Sequence, residues 1–343
     1  MGGCSKFNPA GPGPGNHPPE PGKLNPFEQN RKLGRGVNLG NALEAPFEGA
    51  WGVILEDWFF DRIKEGGFNS VRIPIRWSAH ASATAPYNID EMFLERVEWA
   101  VQQALSRNLL AIINMHHYEE IMQSPAAHKA RFLGMWEQVA RYFRNYPGEL
   151  IFELLNEPNG ALTPEIWNAY LDEAIQTIRK TNPGRTIMVG PGHWYDIEAL
   201  QALQLPEDDR NIIVSFHYYS PFQFTHQGAE WVPGSDPWLG TSWNGTATEE
   251  QAIVDDLTHA ANWSTANNRP LFLGEFGAIY KADMASRARW TAFVALTAES
   301  LGFSWSYWDF CANFAVFDKS TMDWHHPILD ALQPVSNLLT VVR

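Results

Sequence analysis

The 343-residue chain is 45% hydrophobic and only 19% charged, which suits one large globular domain with a sizeable core. Its formal net charge of −14 opposes nucleic acid and anionic membrane as partners and leaves a neutral polymer acceptable. The two cysteines, Cys4 and Cys311, exclude a disulfide framework and a cysteine-based zinc site, and no apolar run suits a membrane span or a secretory signal core.

Residues 1–26 hold seven prolines and six glycines, the composition of a disordered tail or linker. The Met-Gly-Gly-Cys-Ser start fits either a lipoprotein anchor at Cys4 whose signal has been removed or the start of an expressed fragment. Residues 27–343 read as one domain. From Leu33 onward, eight short apolar runs predict strands over Gly36–Leu39, Ser70–Ile75, Leu109–Asn114, Leu150–Leu155, Thr186–Gly190, Asn211–Phe216, Leu271–Leu273 and Phe303–Trp308. Helical stretches fall between them. Thr163-Pro164-Glu165 supplies a cap and a first-turn proline ahead of Trp167, Leu171, Ala174 and Ile178, spaced as one face, and Asn182-Pro183-Gly184 stops that helix. Thr248-Glu-Glu-Gln251 reads as a capping box, and Gly66-Gly67 closes an earlier helix. Strands alternating with helices in this way predict an α/β fold, a single-domain (β/α)8 TIM barrel. A doubly wound sheet is the rival, but Gly11, Gly13 and Gly15 lie in the proline-rich tail and do not form its nucleotide loop.

A (β/α)8 barrel does its chemistry at the C-terminal ends of the strands. Here those ends carry Asn38 and Asn41 with Glu44 just beyond, then Asn114, His116 and His117, then Asn156 and Glu157. They continue with His217, Tyr218 and Tyr219, with Glu275 and with Trp308, while the second strand carries Arg72. Taken singly, a strand-end carboxylate also serves as a cap or ion-pair partner, and Arg72 on an apolar strand reads equally as a structural ion pair. Taken together, two glutamates at strand tips are what acid/base or nucleophilic work on a glycosidic bond requires. The acid must be held protonated by burial or a neighbouring negative charge, and the nucleophile must stay ionised, which Arg72 would promote.

The stretches Gly34-Arg-Gly-Val-Asn-Leu-Gly-Asn-Ala-Leu-Glu-Ala-Pro46, His116-His-Tyr-Glu-Glu120 and Asn156-Glu-Pro158 carry a family resemblance. So do His217-Tyr-Tyr219, Phe224-Thr-His-Gln-Gly-Ala-Glu-Trp231 and Gly274-Glu-Phe-Gly277. Over residues 33–332 the chain resembles glycoside hydrolase family 5, in particular the Thermotoga-type branch of bifunctional cellulase–mannanases. The resemblance implies a retaining endo-β-1,4-glucanase with Glu157 as acid/base and Glu275 as nucleophile. Asn156 would bond the sugar 2-hydroxyl, while His116, His217 and Tyr219 orient the carboxylates and sugar. Trp308 would supply the apolar floor, and Asn41, Glu44, His117, His226 and Trp231 would be further sugar contacts. Asp309 departs from the pattern, which has Glu after the tryptophan.

The adjacent His116 and His117 invite a zinc reading, but neighbouring strand residues face opposite ways and no third ligand is spaced nearby. Neither a metal nor a cofactor is expected. Of three tryptophans after the sixth strand, Trp231 suits sugar stacking, and Trp238 and Trp243 suit loop packing. The Asn-x-Ser/Thr matches at Asn244 and Asn262 carry no function in a bacterial chain, and no Gly-x-Ser-x-Gly elbow exists. The expected partner is a β-1,4-linked polysaccharide: cellulose or β-glucan, with glucomannan or mannan also accepted. A secreted or cell-surface monomer without a transmembrane segment is expected. The alternatives are a strict β-mannanase and a non-catalytic polysaccharide-binding barrel.

Overall fold

The computed structural model describes residues 25–333. Cys4, most of the proline-rich stretch and the last ten residues lie outside the described residues. The core is a closed ring of eight parallel strands in sequential order, with β1 paired to β8. The strands are β1 Arg35–Asn38, β2 Ser70–Ile73, β3 Leu110–Asn114, β4 Leu150–Glu153, β5 Ile187–Val189, β6 Ile212–His217, β7 Leu271–Glu275 and β8 Ser304–Tyr307. Each coincides with one predicted run. The larger differences fall at C-terminal ends, where β2 and β4 stop two residues early and β7 runs two further, to Glu275; the other ends agree within one residue.

Alternation along the strands sorts side chains into two sets. Outward-facing Val71, Ile113, Phe152, Val214 and Leu273 pack in the large core cluster with helix residues such as Trp136 and Trp167. Inward-facing Ile112, Ile151, Met188, Ile213 and Phe272 form a separate apolar layer inside the ring, with Leu33 against it. One layer higher the interior turns polar, with Asn38, Arg72, Asn114, Glu153 and Ser215 all buried. This change of character along the barrel axis places the site.

A helix at Pro26–Leu33 was not expected, since Pro26 fell in the stretch read as tail. Asn25 caps it by accepting from Phe27 N at 3.0 Å, and Pro26 suits the first helical position. Asn30 Nδ2 donates to Leu271 O at 2.8 Å, and Ser70 Oγ donates to Leu33 O at 2.8 Å, so this helix closes the bottom of the barrel. The predicted helix after Thr163 spans Pro164–Arg179, and Gly66 ends the one at Asp57–Glu65. The capping box lies two residues earlier than expected. Thr246 with Glu249 satisfies the same Thr-x-x-Glu rule and opens the helix Ala247–Asn267. Among the described residues, no helix is long and apolar enough to cross a membrane.

Candidate active site

Arg72 organises the polar layer. Its Nε and Nη2 donate to Glu153 at 2.6 and 3.0 Å, and Nη1 donates to Glu275 Oε1 at 2.6 Å. It also donates to Asn38 Oδ1 at 2.9 Å and to Asn156 Oδ1 at 2.6 Å. A fully buried guanidinium needs this many acceptors, because an unpaired charge there would cost several kcal/mol. The arginine is thus both the structural ion-pair partner and the neighbour of Glu275 that the sequence suggested. Bonding Asn156 through its oxygen turns the amide nitrogen away from the arginine.

Glu275 closes β7, opposite His217 at a register shift in β6. Its second oxygen, Oε2, accepts from the Tyr219 hydroxyl at 3.0 Å. Glu157 lies beyond β4 with a left-handed backbone, φ 48°, on a loop tied back by Asn156 N donating to Met115 O at 2.8 Å. His217 Nδ1 is 2.7 Å from Glu157 Oε1 and 3.7 Å from Glu275 Oε2, so one imidazole sits between the two carboxyl groups. Burial raises the Glu157 pKa to about 7, partly offset by the positive charge of Arg72. Burial also pushes His217 down to about 4 and His116 well below the ordinary histidine value, so both rings are neutral near neutrality. Asn114 takes the Ile75 N–H on its oxygen, which presents its amide nitrogen to His116 Nδ1 at 3.1 Å and leaves the ring proton on Nε2.

The expected separation of His116 and His117 onto opposite faces does not occur. β3 has ended at Asn114 and His117 takes φ 49°, so the two rings meet edge to face with centroids 4.6 Å apart. His116 also lies parallel to Trp308, 5.9 Å away, giving the site one flat wall. Glu44, expected to contact sugar, is fully buried. Its carboxyl accepts from Asn41 N and, at 2.9 Å, from Ala42 N, so it shapes the loop that presents Asn41. His226 is buried in an aromatic cluster, stacked on Phe222 at 4.1 Å, with the half-exposed Trp231 at 6.3 Å. Trp243 is buried as loop packing, as expected. Asp309 is fully buried and accepts from Ala312 N at 2.5 Å and Phe314 N at 3.2 Å, so its departure from the family pattern serves the loop after Trp308.

Three site residues escaped sequence reasoning. Glu153 was hidden inside an apolar run, although a charge in a buried strand always demands a partner. Trp51 lies edge-on to His117 at 5.4 Å and is 41% exposed. Trp194, 56% exposed, sits in a run of three left-handed residues, and its backbone N–H donates to Pro158 O at 3.3 Å, beside Glu157. Among the described residues, Glu157, His217 and Glu275 bring three ligand-type atoms within 4.8 Å of one another. The Arg72 guanidinium bonded to Glu275 already supplies the positive charge that a cation would bring there.

The family model for "Cellulase (glycosyl hydrolase family 5)" matches residues 35–314. Endoglucanase H of Acetivibrio thermocellus is 39% identical over 318 residues, covering 91% of this chain and 34% of its own length. The chain thus spans about a third of that curated relative, and 39% of the cellulase/esterase CelE of the same organism, to which it is 32% identical. Structures of Thermotoga maritima Cel5A with cellobiose and with mannotriose superpose with a TM-score of 0.88 at 50% identity, covering 90% of this chain and 99% of theirs. The matched stretch takes in all eight barrel strands, both glutamates and the arginine between them, and on that footing the chain belongs to glycosyl hydrolase family 5.

Proposed function

We propose that the chain hydrolyses internal β-1,4 bonds of glucans with retention of anomeric configuration. The observation that carries this reading is the meeting of Glu157 and Glu275, with an oxygen of each within 4.8 Å of the other. A spacing of about 5–5.5 Å between carboxyl groups favours direct attack by one of them, whereas an inverting pair must leave room for water. Glu157, protonated near neutrality, gives its proton to the glycosidic oxygen as Glu275 attacks the anomeric carbon from the other face. The C–O bond breaks, the leaving sugar departs as an alcohol, and an ester to Glu275 remains. Glu157, now a carboxylate, takes a proton from the water that attacks the same carbon and frees Glu275. Asn156 presents its amide nitrogen toward the 2-hydroxyl, and Trp308 with His116 supplies a flat wall for the ring.

Mannan or glucomannan is a second substrate class, supported by the mannotriose complex of the 50%-identical Cel5A. Asn41, His116, His117 and Asn156 offer mixed donors and acceptors to a C2 hydroxyl in either orientation. A polymer substrate too large to enter a cell supports a secreted or cell-surface setting for this work. Proton NMR of the first-formed product from a cello-oligosaccharide is expected to show the β-anomer, and the α-anomer first would remove Glu275 from the nucleophile's role. Galactomannan turnover below about a thousandth of the β-glucan kcat/KM, roughly 4 kcal/mol of discrimination, would restrict the substrate to glucan.

A further inference from the structure

The loop between β1 and the helix Asp57–Glu65 carries Trp51 at its tip, and one ion pair fastens it at the base. The Glu48 carboxylate accepts from Leu55 N at 2.8 Å and from Arg96 Nε and Nη2 at 2.9 Å each. Arg96 Nη2 also donates to Leu55 O at 2.6 Å, so both polar backbone groups of Leu55 are tied to residue 48. Arg96 stands on the helix Glu91–Ser106 with its guanidinium 4.0 Å over the Trp99 ring, which fixes the planar fork. Inside the loop, Gly49 N donates to Val53 O at 3.1 Å and Gly52 N to Gly49 O at 3.0 Å. These turns hold the two glycines at φ 91° and 82°, where a side chain would be strained. From the turn between the short strands Phe317–Asp318 and Asp323–Trp324, Lys319 Nζ donates to Gly52 O at 2.9 Å.

What this fastening presents is apolar surface. Trp51 is 41% exposed, and Phe47 and Ile54 on the same loop are 65% and 57% exposed. Grouped apolar side chains on a tied-down loop point to a partner. The loop continues the wall of the cleft: Trp51 is 5.4 Å from His117, which is 4.6 Å from His116, the ring parallel to Trp308. Each step is close to the length of one pyranose unit. A chain whose reacting sugar rests on Trp308 and His116 therefore meets His117 with its next unit and Trp51 with its third. The C–H face of a glucan ring is the apolar surface that an indole set there would cover.

We propose that Trp51 is the platform for the third sugar counted from the reacting one, and that Arg96, acting through Glu48, is the positioning residue that holds it there. This rests on the reading of the cleft as one that cuts a β-1,4-glucan. The test is the ratio of kcat/KM for cellohexaose to that for cellotriose, which a general loss of activity leaves unmoved. Trp51→Ala is expected to lower that ratio about fivefold, through loss of one apolar contact face. Arg96→Met is expected to lower it about twofold or more, and the double variant no further than Trp51→Ala alone. An unmoved ratio in Trp51→Ala overturns the platform. An unmoved ratio in Arg96→Met, or a further drop when it is added to Trp51→Ala, overturns the positioning role. Where Arg96→Met misfolds, Glu48→Gln breaks the same fork from the loop side and decides instead. A wild type that cleaves no cello-oligosaccharide would strike the glucanase reading rather than this one. Calorimetric binding of the same two oligosaccharides to Glu275→Ala, with and without Trp51→Ala, would then decide the platform by the ratio of their Kd values.

Discussion

Glu157 must be protonated to act as an acid, and burial holds its pKa at about 7. Activity is therefore expected to fall as pH rises through about 7, with a slope of one proton, and a profile still flat at about pH 9 would dissociate the limb from Glu157. Glu275→Ala is expected to abolish turnover of natural substrate and to be rescued by azide as an α-glycosyl azide, since azide replaces the missing nucleophile. Azide rescue appearing in Glu157→Ala with that product, and not here, would exchange the two roles. Arg72→Lys keeps the charge and loses the planar fork that serves Glu153, Glu275, Asn38 and Asn156 together. It is expected to lower kcat at least about a hundredfold and to cost roughly 3 kcal/mol of stability, read from paired kinetics and urea unfolding. At this scale Glu157, Glu275, His217, Tyr219 and Arg72 were legible because polar groups at strand ends are costly without a use. Glu153 was not, because a run read as apolar hides one inward charge, and burial of Glu44 depended on a loop path that no spacing announces.

Arg185 shows how one side chain fastens elements together. Its two terminal nitrogens donate to the carbonyls of Phe143 at 3.1 Å, Tyr146 at 2.7 Å and Leu150 at 2.8 Å, and also to that of Pro147. That ties the end of the helix Pro125–Tyr142 to the start of β4. Arg185→Met is expected to cost roughly 3 kcal/mol in urea unfolding, because several buried carbonyls lose their donor, while kcat stays near wild type. A loss under about 0.5 kcal/mol would mean that solvent reaches those carbonyls. Strands were read well since each is a short apolar run between turn residues. Element ends were read less well: two Thr-led capping patterns overlap near residue 247, and only packing chooses Thr246. The helix at Pro26–Leu33 was lost in a proline-rich neighbourhood, though Asn25-Pro26 is itself a start signal.

For the molecule as a whole, buried carboxyl groups set how stability responds to alkali. Burial raises Glu44 to about 8 and Glu157 to about 7. A carboxyl raised on folding binds more protons folded than unfolded between the two values. Its stabilisation is full below the unfolded value and is lost as pH rises through the folded one. His217 and His226, lowered to about 4, slope the other way, but their effect is complete by about pH 6.5. The unfolding midpoint is thus expected to drop between about pH 6.5 and 8.5, and Glu44→Gln to flatten that drop; a rise in the wild type over that window would contradict the assignment. The barrel itself was legible from eight alternations of strand and helix, whereas the polar upper layer emerged only when the ring closed.

Closure also separates two kinds of inheritance. Glu157 follows β4 and Glu275 ends β7, and between those strands run β5 and β6, each laddered to its neighbours. The gap across which a bond is cut is therefore a chord of the ring, rigid and common to any chain that closes this way. Trp51, Trp194 and Trp231 ride on loops above that ring, where length and sequence can drift without disturbing the ladder. Grafting those loops between relatives should change which polymer is taken while the anomer produced stays the same, so diet can evolve faster than stereochemistry.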